Sequence, residues 1–547
     1  MPDKAPNAPL RAWRNASRLT RVEMAEKINA TKTGIAEALA CDAERVRRWE
    51  TGDVRWPSTV YRLALTQLTG KTPEDLGFIR AQHDEIRQAP QGTAELSQTS
   101  TTTTNGNSPS RADEIETRLA TDENITAALV WLDQQAARPA GNSRRQVANR
   151  LVDLDPRHLR DRAQLRGRIG RDQIAQALVA YYSGAADAGL STYRIGTNGD
   201  LVATSLLTTR EWLDLGFPLN TSHPDFSLTN ATGPQLPMDE LRFDAAVECL
   251  AEALITNRRI VNAPLYRMTN IDIGPGQINA GFAMSEFVHY ALSMDLLERE
   301  LLDAIVDRRP IRPGTLPLRD HYLPDIDSIT RPGERLCAGG PLALCAIARP
   351  GTRARQGRPD YVILVQERSG NVLNAAQKLA VIPKAFHEPL ADFGEDVSIA
   401  STLEREMEEE LFGRNDVDST FGGQLHADPM HPSRLSAPMA WLMERPDQWR
   451  LECTGFGFNL VSGNFEFASL IVIDNEEWWT RFGGHIAANW ESSGMRRYST
   501  LDTDLISSLL RDSAWSNEGL FALSEGLQRL SQIGGSRVNL PTIKVEL

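Results

Sequence analysis

Between Gln88 and Ala112 the chain runs through Gln-Ala-Pro-Gln-Gly, Ser-Gln-Thr-Ser-Thr-Thr-Thr-Thr and Asn-Gly-Asn-Ser-Pro-Ser, with Glu95 its one charge before Arg111. Such a stretch has almost no apolar area to set against its chain entropy, so it reads as a flexible linker and not as part of a core. It forces the 547 residues into at least two separate folding problems. Residues 1–87 form a head of ordinary small-domain size. The remainder exceeds what one core of ~250–300 residues normally holds, so a second break is expected. The Pro-rich stretch from Arg309 to Gly333 is its natural place, giving a middle domain over 113–330 and a C-terminal domain over 331–547.

Charge separates the head from the rest. Residues 1–88 carry 15 Lys and Arg against 12 Asp and Glu, while the remainder carries 44 against 60, within a whole-chain net charge of -13. A mildly basic head on an acidic body suits a nucleic-acid-binding head. The five cysteines are scattered, with no Cys-x-x-Cys pair, which argues against a disulfide framework or a structural zinc site. No run approaches the ~18 apolar residues of a membrane span, and the first residues lack the pattern of a secretory leader. A cytoplasmic protein without membrane contact is expected.

The head predicts compact helices. Leu10 to Ala16 is the first, and Thr20 followed by Glu23 has the capping-box spacing for a second over Arg21–Asn29, with Val22, Ala25 and Ile28 on its core face. Asp42 caps a short helix from Ala43 to Glu50 that Gly52 ends. Its Val46 and Trp49 point inward and its arginines outward. A closing helix spans Tyr61 to Leu68. The run Arg48-Trp49-Glu50-Thr51-Gly52, then Trp56-Pro57-Ser58, Tyr61-Arg62 and Leu76-Gly77-Phe78, resembles the helix-turn-helix of xenobiotic-response-element-type (XRE, Cro-like) transcriptional regulators of actinobacterial style. The resemblance covers residues 8–78, with a longer connection than usual from Thr31 to Cys41. It implies double-stranded DNA as partner, a reading helix in the major groove and a homodimer on a two-part site. Arg45, Arg47 and Arg48 would then contact guanine edges or phosphates, with Glu44 as a possible acceptor from cytosine.

The middle segment reads as mostly helical, as in Glu298 to Val306, with a strand–turn–strand from Tyr193 to Ser205. No spacing in it is diagnostic of a function. The C-terminal segment carries strand patterns at Pro341–Ala348, Tyr361–Gln366, Leu379–Ile382 and Phe465–Asp474. Its sharpest chemical feature is Leu403-Glu404-Arg405-Glu406-Met407-Glu408-Glu409-Glu410-Leu411-Phe412-Gly413. At α-helical spacing Glu406, Glu409 and Glu410 share one face, and such a carboxylate group suits a hard divalent cation, Mg2+ or Mn2+.

This run resembles the Nudix box. Arg405, Glu406, Met407, Glu409 and Glu410 fall on its Arg-Glu-apolar-x-Glu-Glu core, while Gly413 lies one place beyond the family's glycine, where Phe412 stands. The resemblance covers roughly 335–515 and implies an α/β Nudix-like sandwich. Within it Glu406, Glu409 and Glu410 are the metal ligands, and Glu409, Glu410 and Arg405 the catalytic group. His387 and Glu466 are further candidates for a base or an extra ligand. Together the two resemblances suggest a regulator whose degenerate Nudix-like domain senses a nucleotide or other diphosphate-containing metabolite. An active Mg-dependent hydrolase of nucleoside diphosphate-linked compounds with a DNA-targeting head is the alternative, and an assembly protein the third reading.

Overall fold

The computed structural model describes residues 7–78 apart from 18, 34–40, 42, 52–56, 58, 70 and 74. It also describes residues 110–547 apart from 184–188, 198, 221–224, 235, 237, 257, 259, 354–356, 369–377, 415–427, 485 and 487–491. Residues 88–109 of the linker expected over 88–112, the cap Asp42 and the stop Gly52 lie outside the described residues. The chain divides into two units, 1–106 and 107–547.

In the head, α1 (Ala8–Ala16), α2 (Arg21–Asn29), α3 (Ala43–Glu50) and α4 (Thr59–Thr69) surround one small core. The capping box at the start of α2 forms as its spacing requires: the Thr20 hydroxyl accepts the Glu23 amide at 3.2 Å, and the Glu23 carboxylate accepts the Thr20 amide at 2.7 Å. Val46 and Trp49 are buried as expected, but the core face of α2 is Met24, Ala25 and Ile28. Val22, expected inside, is 55% exposed. It lies two positions before Met24, and residues two apart on a helix do not face the same way.

Glu50, at the end of α3, is fully buried and binds α1 and α2 to α3. Its carboxylate takes the Arg14 guanidinium on one oxygen and Arg21 at 2.9 Å on the other. Burial raises its pKa, yet the hydrogen bonds from Arg14 and Arg21 outweigh that and hold it below the ordinary value.

The body opens with five helices, α5 (Arg111–Leu119), α6 (Glu123–Gln135), α7 (Asn142–Asp153), α8 (Pro156–Gly167) and α9 (Arg171–Tyr181). Ser110 caps α5, so the end of the expected linker belongs to this first helix. There follow β1 (Ser191–Thr197), β2 (Asp200–Thr208), β3 (Leu213–Pro218), β4 (Asp225–Leu228), α10 (Glu240–Ile255), β5 (Pro264–Gly274), β6 (Gln277–Glu286) and α11 (Leu296–Val306). The segment expected to be mostly helical therefore carries six strands as well. The β1–β2 hairpin was legible. The long β5–β6 hairpin was not, because Asp272-Ile273-Gly274-Pro275-Gly276 shows only its turn.

The last part supplies β7 (Gly339–Arg349), β8 (Asp360–Arg368), β9 (Leu379–Val381), α12 (Ile399–Glu406), β10 (Trp449–Asn459), β11 (Asn464–Ile473), β12 (Ser492–Ser499), α13 (Thr503–Arg511), α14 (Asn517–Ile533) and β13 (Lys544–Glu546). All four strand patterns read from the sequence here are strands. The main sheet runs β12-β8-β7-β11-β10-β2-β1-β13, with β9 paired to β8 and β3 to β10, and β4-β6-β5 form a second sheet. The parallel pair β7 and β11 is buried along nearly its whole length. Leu342, Leu344 and Ala346 of β7 face α13 and α14, while Ala343, Cys345 and Ile347 face the opposite core. A strand covered on both faces tends to be apolar without alternation, as β7 is, while β11 departs from this at Asn464, Glu466 and Ser469.

The boundary expected near 330 falls inside this unit. β1, β2 and β3 belong to the same sheet as β7 to β12, and residues from both segments fill one hydrophobic cluster. Arg319 shows how the segments are joined. Its guanidinium, fully buried, donates to the carbonyls of Leu460 at 2.6 Å, Leu297 at 3.3 Å and Val461, and to the Tyr182 hydroxyl at 3.0 Å.

These two buried charges, one anion and one cation, generate the fold's tests. Glu50→Ala leaves Arg14 and Arg21 without their buried anion and should destabilise the head by ~3–5 kcal/mol, seen as faster hydrogen exchange across residues 8–69 of the full chain. Arg319→Met leaves the Leu460 and Val461 carbonyls without donors and should lower the stability of the body by ~2–5 kcal/mol in calorimetry, with the head transition unchanged.

Candidate functional site

Two surfaces carry the chemistry expected from the sequence. On the head, Arg45 and Arg48 of α3 are exposed and Arg47 is half-buried. Arg45 lies over the Tyr61 ring, 4.8 Å from its centroid, and hydrogen-bonds the Tyr61 hydroxyl. That contact from α4 limits the rotamers of a long side chain, which reduces the entropy lost when it meets a ligand. Glu50, the carboxylate that ends the same helix, is withdrawn into the core on Arg14 and Arg21. The Glu44 side chain lies outside the described residues. The described surface of α3 is therefore cationic, and its guanidinium groups can donate to phosphate oxygens or base edges.

The glutamate-rich run forms a helix, but not a uniform one. After α12 the chain continues over Met407–Leu411 as a π-helical turn, closed by the Phe412 amide on the Met407 carbonyl at 3.1 Å. A π-turn holds one residue more than an α-turn. The glycine that ends the helix therefore arrives one place late: Gly413 adopts a left-handed φ of +67°, and the Arg414 amide beyond it returns to the Glu408 carbonyl. The same wide turn upsets the i, i+3, i+4 arithmetic that put Glu406, Glu409 and Glu410 on one face.

The carboxylates take separate protein partners. Glu406 accepts from Arg405, at 3.1 and 3.3 Å, and Arg405 also donates to the Glu388 carbonyl. Glu408, fully buried, accepts the amide and hydroxyl of Ser436 at 3.0 and 2.8 Å and pairs with Arg414. Glu410, also fully buried, accepts the Lys384 amide at 2.8 Å. Glu409 is half-buried, and burial pushes Glu404 up to about 7. Among the described residues no three His, Cys, Asp or Glu side chains are gathered as a metal site. In this arrangement Arg405 serves as the counter-charge of Glu406.

His387 and Glu466 are both deep in the protein. The His387 ring is fully buried, donating from Nε2 to the Val397 carbonyl at 3.0 Å and accepting at Nδ1 from the Thr402 hydroxyl at 2.8 Å. Burial pulls its pKa down to about 3, so it is neutral and fastens the loop before α12 to the helix. Glu466 on β11 lies beside a buried ion pair, Lys384 with Glu518, 2.6 Å apart. Burial, then the charge of Glu518, pushes Glu466 up to about 8. Glu518 itself is raised by burial but held below its usual value by Lys384. This group joins the loop before α12, β11 and the start of α14. Lys384 and Glu518 were not singled out from the sequence, because 134 positions separate them.

No family model matches the chain, and no curated protein matches it. Among the described residues no helix is long and apolar enough to cross a membrane.

If the helix carboxylates hold the fold together, Glu408→Ala should cost ~1–3 kcal/mol by leaving the half-buried Ser436 amide and Arg414 without their acceptor. Millimolar Mg2+ or Mn2+ should leave the melting temperature of the wild-type chain unchanged. A metal-dependent rise that disappears in Glu409→Gln plus Glu410→Gln would restore the metal site.

Proposed function

We propose that this chain is a DNA-binding transcriptional regulator of helix-turn-helix type, acting as a dimer, whose body responds to a ligand without hydrolysing it. The observation that carries the reading is the surface of α3, where Arg45, Arg47 and Arg48 stand on a helix whose own carboxylate Glu50 is buried in the core. Short helices held this way are rigid enough to place guanidinium groups in a major groove, where each bidentate contact to guanine is worth ~1–3 kcal/mol of discrimination. Turnover is the less favoured activity because Glu406, Glu408 and Glu410 are engaged with Arg405, Ser436 and Lys384. The effector class suggested by the Nudix resemblance is a nucleotide or other diphosphate-containing metabolite. Such an effector regulates only if it binds one arrangement of the dimer more tightly than the other.

The test is selection of sites from a random duplex pool by the full-length chain, followed by titration of the enriched site at several salt concentrations. A two-part site should emerge. Arg47→Ala plus Arg48→Ala should weaken binding to it by ~100-fold or more and flatten the salt dependence. Equal enrichment by wild type and the double variant would contradict DNA reading by α3.

A further inference from the structure

The body holds a cavity of about 480 Å³ that none of the residues of the carboxylate helix line. Its walls come from α8, the C-terminal half of α10, the start of α11 and Lys378, just before β9. Its volume suits a small metabolite. The lining carries five Arg and Lys against four Asp and Glu, so its total charge favours neither a cation nor an anion. The way these charges are disposed divides the wall into two parts.

One part is closed by ion pairs. Arg166 pairs with Glu252 at 2.9 Å and Asp303 at 2.7 Å, and Arg299 reaches Glu252 at 2.8 Å. In the other part opposite charges stay apart. The Arg258 side chain, half-buried just beyond α10, has neither a hydrogen bond nor an ion pair among the described residues. Asp295, at the start of α11, has no ion pair among them either, and takes one long hydrogen bond, from the Tyr290 hydroxyl at 3.4 Å. Yet the Arg258 charge reaches Asp295, and the Cys249 thiol in the same wall feels both. Lys378 and Glu298 repeat the pattern. They lie within reach of one another's charge, but the ammonium donates to the carbonyls of Gly167 and Ile169, at 3.1 and 2.6 Å.

Opposite charges held apart in one wall each lack the partner that would offset their desolvation. A ligand of one sign satisfies one of them and repels the other, whereas a ligand with both signs satisfies both. Burial pushes Asp295 up to about 6, which leaves it ionised at neutral pH, and a guanidinium is charged throughout that range. Ile174, Leu296 and Leu302 add apolar surface to the lining.

We infer that this cavity binds a free α-amino acid, its carboxylate on the Arg258 guanidinium and its ammonium on the Asp295 carboxylate. An α-amino acid carries the two charges on neighbouring groups and leaves its side chain for the apolar surface. No covalent bond changes. The inference stands on α8, α10 and α11 and does not depend on DNA binding or on the carboxylate helix.

The full-length chain is screened at neutral pH for a rise in melting temperature with each of the standard amino acids. Every one that raises it is titrated calorimetrically beside its carboxamide and its N-acetyl derivative. At least one free amino acid should bind, and removing either of its charges should weaken binding by about tenfold or more. Arg258→Gln should weaken the free amino acid to a similar degree and leave the carboxamide unaffected. Asp295→Asn should weaken the free amino acid likewise and leave the N-acetyl derivative unaffected. Failure of every amino acid to bind overturns the inference. So does equal binding of an amino acid and its carboxamide or N-acetyl derivative, or binding that both variants retain. If a variant loses the wild-type circular dichroism, the comparison of the three ligands on the wild-type chain decides alone.

Discussion

A guanidinium enclosed in a protein must find acceptors for its N–H groups, and Arg319 finds them on carbonyls that belong to distant parts of the chain. Leu297 lies at the start of α11, while Leu460 and Val461 lie in the turn between β10 and β11. The link fastens the helical layer to the centre of the main sheet. Around it the helices and the sheet meet largely through apolar contact. Apolar contact is non-directional, whereas these hydrogen bonds fix which turn of the sheet meets which helix. Arg171 does the same elsewhere, donating to the Ala203 carbonyl on β2 and the Asp512 carbonyl beyond α13. The body is thus locked by buried cations on main-chain acceptors, and its buried carboxylates sit in a framework that these links make rigid.

How much of this was legible in the sequence follows from how local each cause is. The Thr20–Glu23 capping box is decided within four residues, and the doubly buried strands β7 and β11 announce themselves as largely apolar runs. Trp49 and Val46 were placed correctly by helical period. Val22 was not, because nearby positions compete for one small core and Met24 fills it. The expected boundary near 330 marks a Pro-rich stretch, but the chain there stays packed: β1 to β3 close the same sheet that β7 to β12 build. Nothing local to Arg309–Gly333 signals that pairing.

The carboxylate helix shows the limit most clearly. An i, i+3, i+4 pattern presumes 3.6 residues per turn, and Met407–Leu411 is wound more widely. Gly413, at a left-handed φ of +67°, ends the helix after that wide turn. The partners that occupy these side chains come from Lys384, Ser436 and Arg414, and no spacing within the helix could name them. A cavity of about 480 Å³ in the body was equally hidden. Its wall draws on positions from Arg160 to Lys378, so no window of sequence contains a motif. Tyr290 ties it to the sheet, taking a hydrogen bond from Asn464 on β11 at 3.0 Å while its own hydroxyl faces Asp295.

We propose that the body is a responsive module and not a catalyst. The direct measurement is product release from a panel of nucleoside diphosphate-linked compounds, with Mg2+ or Mn2+ and stoichiometric amounts of the full-length chain. The expected result is no turnover above the buffer rate, equally for wild type and for Glu409→Gln plus Glu410→Gln. Turnover by the wild type that the double variant loses would contradict the account and make the chain a hydrolase.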